Sequence, residues 1–150
     1  AISGRHELAC QVLLYPMTDV VSPAQRFVSR VDYGGGDLFL EEAAIQGAAI
    51  AYTANDAALR SDQDISPLAA PVPDGIAPAL VLTAEFDPLH DEAVEYHRKL
   101  TQAGTRSTHL EGEQTIHAFL SFGELDVARK HREKIGAYLR DSFLATDTQT

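Results

Sequence analysis

The chain has 150 residues, 45% of them hydrophobic, enough for one globular domain with a core of its own. Its formal charge of −10 excludes the basic face that nucleic acid would require, and the scattered acids read as a solvated surface. A single cysteine, Cys10, excludes an internal disulfide and leans toward a cytoplasmic setting. No run approaches the roughly 18 apolar residues of a membrane span. The opening Ala-Ile-Ser-Gly-Arg-His-Glu has neither the basic nor the apolar region of a signal peptide and lacks an initiator Met, so a piece of something longer is expected.

In chain order, Leu8 to Tyr15 reads as a buried strand stopped by Pro16. A polar connector from Thr18 to Asp37 contains Gly34-Gly35-Gly36. A helix is expected from Leu38 to Tyr52, with Asp37 as its cap. Residues 53–75 form a long loop, with prolines at 67, 71, 73 and 78 in or near it. Ala79 to Ala84 is apolar and partly β-branched, the pattern of a strand buried on both faces. Asp91 to Ala103 follows as a helix with acid in its first turn and Gly104 at its end. Arg106 to Leu110 is a shorter, more polar strand that suits a sheet edge. Glu124 to Leu144 closes as an amphipathic helix with Leu125, Ala128, Ile135, Leu139 and Phe143 inward, and Ala145 to Thr150 reads as a tail. Strands alternating with helices at this spacing predict an α/β fold with three parallel strands, in one domain without repeats. The first strand is too apolar for an edge and wants a neighbour that this chain does not supply.

The chemistry concentrates where strands end. Glu85-Phe86-Asp87-Pro88-Leu89-His90-Asp91-Glu92 stops the central strand with acid and proline, and open α/β sheets place their sites at such ends. Thirty residues on stands His117, in Gln114-Thr115-Ile116-His117-Ala118-Phe119-Leu120. Alone, Asp87 reads as a turn or capping carboxylate and His117 as a packing or surface histidine. Together, their spacing is what one helix, one strand and two loops need to bring both to one edge. That favours the last two members of a hydrolase triad. Other features carry less. The glycine run fits no phosphate motif, His90, Asp91 and His97 fit no metal spacing, Cys10 reads as a core thiol and Asp19 as a loop-fixing residue. None of the eight serines stands in Gly-x-Ser-x-Gly, so no activated nucleophile is visible.

These residues carry a resemblance. Gln11-Val12-Leu13-Leu14-Tyr15-Pro16, Ile65-Ser66-Pro67-Leu68, Pro78 to Leu89, Asp91-Glu92, Leu100 to Gly104 and Ile116-His117-Ala118-Phe119 resemble, in order, the C-terminal half of the hormone-sensitive-lipase-like esterases of the α/β-hydrolase superfamily. The resemblance implies that the three strands are the sixth to eighth of that fold. It makes Asp87 the triad acid and His117 the triad histidine of a carboxylic ester hydrolase without a cofactor. The family's oxyanion motif and its nucleophile elbow would lie upstream, so this chain alone is expected to be inactive. The family commonly has Gly where Ala118 stands and Arg where His90 stands. The expected partners are a small ester substrate or, for a non-catalytic fragment or partner subunit, another chain or copy paired through the open first strand.

Overall fold

The computed structural model describes residues 8–147, with side chains through Ala145. Three strands form one parallel sheet in the order β1 (Gln11–Leu14), β2 (Ala79–Phe86), β3 (Ser107–Ile116). β2 takes the centre because its residues bury on both faces; Ala79 through Ala84 are each no more than 1% exposed. Alternation turns Ala79 toward Phe27, Leu68, Tyr96 and Leu100, and turns Leu80, Leu82 and Ala84 toward Phe119 and Ala128. The first cluster includes residues of α4 (His90–Gln102), the second residues of α5 (Asp126–Asp147). The sheet is thus covered by one long helix on each side. At roughly 1.5–3 kcal/mol for each large apolar side chain buried, the two clusters dominate the stabilisation. α4 ends where expected: Gly104 takes φ +82°, open to glycine without strain.

The connections differ from the expectation in informative ways. The polar connector holds a short helix, α1 (Val28–Tyr33), after a 3-10 turn at Ala24–Arg26. α2 (Glu42–Tyr52) begins later than the expected Leu38, because Phe39 takes φ +79° and Gly35 bridges Glu41, with the Glu42 amide donating to Gly34 O. Asp37 therefore caps nothing; Glu41 holds the cap position. The long loop contains α3 (Ala57–Arg60), capped by the Asp56 carboxylate on the Ala58 amide. Lys99 of α4 closes over this region, donating to the carbonyls of Pro67, Leu68 and Ala70.

β1 is shorter than expected, and Cys10 precedes it, half-buried. Among the described residues β1 pairs on one side only, with Leu14 43% exposed. β3 runs on to Ile116, so His117 leaves the strand directly instead of sitting in a loop. In α5, Ala128 is buried, and Ile135 and Tyr138 pack on the core. Leu125, expected inward, lies in the turn before α5 and is exposed; Phe143, also expected inward, is exposed because a three-stranded sheet offers this long helix too little surface to cover its apolar stripe. The helix continues to Asp147, into the stretch expected as a tail, and residues 148–150 lie outside the described residues. No described helix is long and apolar enough to cross a membrane.

Candidate active site

β2 ends in an Asp-Pro turn that serves two purposes at once. Pro88 has no amide to continue the ladder, so the chain leaves the sheet. Asp87 Oδ1 accepts the Leu89 amide at 2.9 Å and Asp87 O accepts that of His90 at 3.0 Å, closing the turn into α4. The other oxygen, Oδ2, faces His117, whose Nδ1 lies 2.8 Å away. Asp87 thus serves the turn with one oxygen and faces His117 with the other. With the carboxylate as acceptor, the neutral form of the imidazole has its proton on Nδ1 and its lone pair on Nε2. No described residue hydrogen-bonds that Nε2. The Asp87 side chain is 1% exposed and that of His117 21%, an anchored carboxylate behind a reachable imidazole.

His117 is held from three directions. Ala118 takes φ +61°, a left-handed turn that swings Phe119 back into the core while His117 stays at the sheet end. This is where glycine is common in the resembling family, and the conformation explains why. The Tyr15 ring lies 5.2 Å from the imidazole centre and 5.6 Å from that of Phe119. The Tyr15 hydroxyl accepts the Leu120 amide at 2.9 Å, tying the end of β1 to the His117 turn. Burial pushes the Tyr15 phenol up to about 12, so it remains neutral beside Asp87. Arg132 of α5 donates to Leu120 O at 2.7 Å from the outside. No site role for Tyr15 or Arg132 was legible in the sequence; nothing in spacing or motif marks a residue that acts on a turn 105 positions away, as Tyr15 does, or 12 away across a helix, as Arg132 does.

Behind Asp87 lies a buried polar knot. Glu92 accepts the amides of Thr18 at 2.6 Å and Asp19 at 3.2 Å on Oε1. Its Oε2 receives Arg30 Nε at 2.9 Å and a second guanidinium N–H. Burial pushes Glu92 up to about 7, against the pull of Arg30 and the two amides. Asp19 accepts the Val21 and Ser22 amides, the loop-fixing task expected of it. Its backbone contacts and Arg26 hold it below the usual carboxylate range, more than offsetting its burial. Ser29 adds another tie, its hydroxyl donating to Pro88 O at 2.9 Å. The connector after β1 is therefore pinned to the turn that aims Asp87.

The weaker candidates resolve into structure. His90 lies between Asp91 Oδ1 at 3.1 Å and Glu111 Oε1 at 3.0 Å, linking α4 to β3 in place of the family's usual arginine. His97 stacks on His109 with ring centres 5.5 Å apart. Among the described residues, no three or more His, Cys, Asp or Glu side chains are grouped to hold a metal ion.

Residues 2–121 match the family model described as the alpha/beta hydrolase fold. The chain belongs to the α/β-hydrolase fold family. Within this family it is 43% identical over 106 residues to an ethyl acetate hydrolase of Pseudomonas putida, covering 69% of this chain and 32% of that protein. An arylesterase of Saccharolobus solfataricus is 33% identical over 90 residues, 57% of this chain and 29% of that one. The esterase of Pyrobaculum calidifontis superposes with a TM-score of 0.82 at 29% identity, over 96% of this chain and 46% of that structure. The chain thus spans about a third of the length of these curated relatives. The α/β-hydrolase fold and the kinship with esterases expected from sequence are both borne out.

Proposed function

We propose that this chain carries the acid and the base of a carboxylic ester hydrolase, Asp87 and His117, and that a serine outside it completes the triad. The observation that carries this reading is the 2.8 Å bond from His117 Nδ1 to Asp87 Oδ2, made at the C-terminal edge of the sheet with Nε2 left available. In the mechanism, the serine Oγ attacks the ester carbonyl carbon while His117 Nε2 takes its proton. Asp87 stabilises the imidazolium and holds its orientation. The imidazolium returns the proton to the departing alcohol, leaving an acyl-serine, and water repeats the sequence to release the acid. Neither step calls for a cofactor. The substrate is a small ester, as the names of the relatives suggest, and the single Cys10 supports a cytoplasmic setting.

The test uses the chain alone and the chain joined to a nucleophile-bearing N-terminal half, both assayed on a chromogenic short-chain ester. The isolated chain is expected to show no turnover above that of its own His117→Ala variant. In the joined protein, His117→Ala should cost about 10⁴-fold or more in kcat, because triad members act as a unit. Near-normal turnover in that variant would remove His117 from the mechanism.

A second reading rests on β1, whose outer edge has no partner among the described residues. Here the chain is a partner subunit or self-associating fragment that adds this edge to another sheet. Sedimentation decides it. A concentration-dependent mass, abolished by a proline at Val12, supports edge pairing; a monomer at all concentrations opposes it.

A further inference from the structure

The strands that carry Asp87 and His117 do not stay in step. Ala79 lies opposite Ser107, Leu80 opposite Thr108, and so on to Ala84 opposite Gly112; the next pair is Phe86 opposite Ile116. Between these two pairs β2 advances two residues and β3 advances four. The surplus is absorbed in a bulge around Glu113, Gln114 and Thr115, against which Glu85 is the one β2 residue without a strand partner. Had the first register continued, Asp87 would face Thr115, and His117 would lie about 7 Å further along the strand. With the shift, Asp87 and His117 each follow the re-closed Phe86–Ile116 pair, and they meet.

The bulge is strained and has to be held. Gln114 takes φ +54°, a left-handed conformation disfavoured for any residue with a Cβ. Its amide leaves the ladder and donates instead to Glu85 Oε2 at 2.6 Å. Thr115 Oγ1 donates to Gly112 O at 2.6 Å, closing the other side. Gly112 permits this closure, because a Cβ there would fall 2.6 Å from both the Phe119 ring and Thr115 Oγ1. Among the described residues, Glu85 is the β2 side chain that hydrogen-bonds the displaced backbone.

We propose that Glu85 is a positioning residue whose carboxylate, by holding the Gln114 amide, sets the register shift that brings His117 to Asp87. This rests on the reading of Asp87 and His117 as acid and base, but its test reads geometry instead of turnover. The experiment records ¹⁵N NMR of the histidine rings in the 150-residue chain, in solution or, if the chain self-associates, in the solid state. His117→Gln assigns the signals. The wild type should show one tautomer, Nδ1–H, with a low-field proton. In Glu85→Ala that signature should be lost to a mixture of tautomers. Glu85→Gln, whose amide oxygen can still accept, should retain it. Glu85→Ala/Gln114→Gly should regain it, since glycine takes the left-handed conformation without strain. An unchanged signature in Glu85→Ala overturns the inference, as does its loss in a folded Glu85→Gln. If Glu85→Ala does not fold, the glutamine and double variants decide alone, and a double variant that folds without the signature overturns it. A wild type without the signature overturns the Asp87–His117 reading itself, and the inference with it.

Discussion

Two buried carboxylates, Asp87 in the turn before α4 and Glu92 in its first turn, are used in opposite ways. Every oxygen of Glu92 is filled by donors that cannot change state, two backbone amides and the Arg30 guanidinium. Asp87 gives one oxygen to a backbone amide and the other to an imidazole, a partner that can gain and lose a proton. Burial alone therefore does not mark a chemical site. What distinguishes the two is whether the partner can titrate and whether its far side is open.

The contrast can be broken most strongly at Asp87. Asp87→Asn should still accept the Leu89 amide and so preserve the turn, but it favours the wrong tautomer of His117. In a joined, nucleophile-bearing protein kcat should fall by about 10⁴, with the melting temperature nearly unchanged. A loss of kcat within tenfold would place Asp87 with Glu92 as structural. At the other carboxylate the effect should be on stability. Arg30→Ala strands a buried charge and should cost about 3–5 kcal/mol by urea unfolding of the chain. A cost below about 1 kcal/mol would mean that the two amides suffice.

Smaller effects sharpen the picture. Ala118→Gly relieves a left-handed alanine and should stabilise the chain by about 1 kcal/mol, read as a shift in the urea midpoint. The smallest effect is with pH. Burial holds His97 and His109 below their ordinary 6.5. The unfolded chain then binds protons first, so their contribution is full above pH 6.5 and is lost as pH falls below it. Glu92, raised to about 7, acts with opposite sign between pH 4.5 and 7. The readout is therefore the difference between wild type and His109→Gln: between pH 7.5 and 5.5 the variant should lose less stability.

Much of this was legible in the sequence because strong local signals agreed. The Ala79–Ala84 run, the Asp-Pro stop and the spacing to His117 together gave the central strand, the parallel order and both candidate residues. The short α1 was not legible, since six residues are too few to show a period, yet it brings Arg30 to Glu92. The start of α2 was hidden by the left-handed Phe39, and the length of β3 by Glu111, Glu113 and Gln114, polar residues that an exposed edge tolerates. The bulge between β2 and β3 leaves no sequence signature, because a register shift is a property of two strands and not of either one. Tyr15 was read as strand and as part of the resemblance but without a role at the site, for its partner Leu120 is brought near only by the completed fold.

The central position of β2 has a consequence for how a joined, nucleophile-bearing protein would lose the proposed activity on heating. Asp87 extends a strand sandwiched between two others, and amide protons from Leu80 to Ala84 should exchange with solvent only when the whole domain opens. His117 lies between the end of an edge strand and a left-handed alanine, so its segment is expected to open at lower cost than β2. Under the proposed reading, inactivation of a joined, nucleophile-bearing protein should therefore precede melting and be reversible on cooling, with Asp87 still in place and only His117 astray.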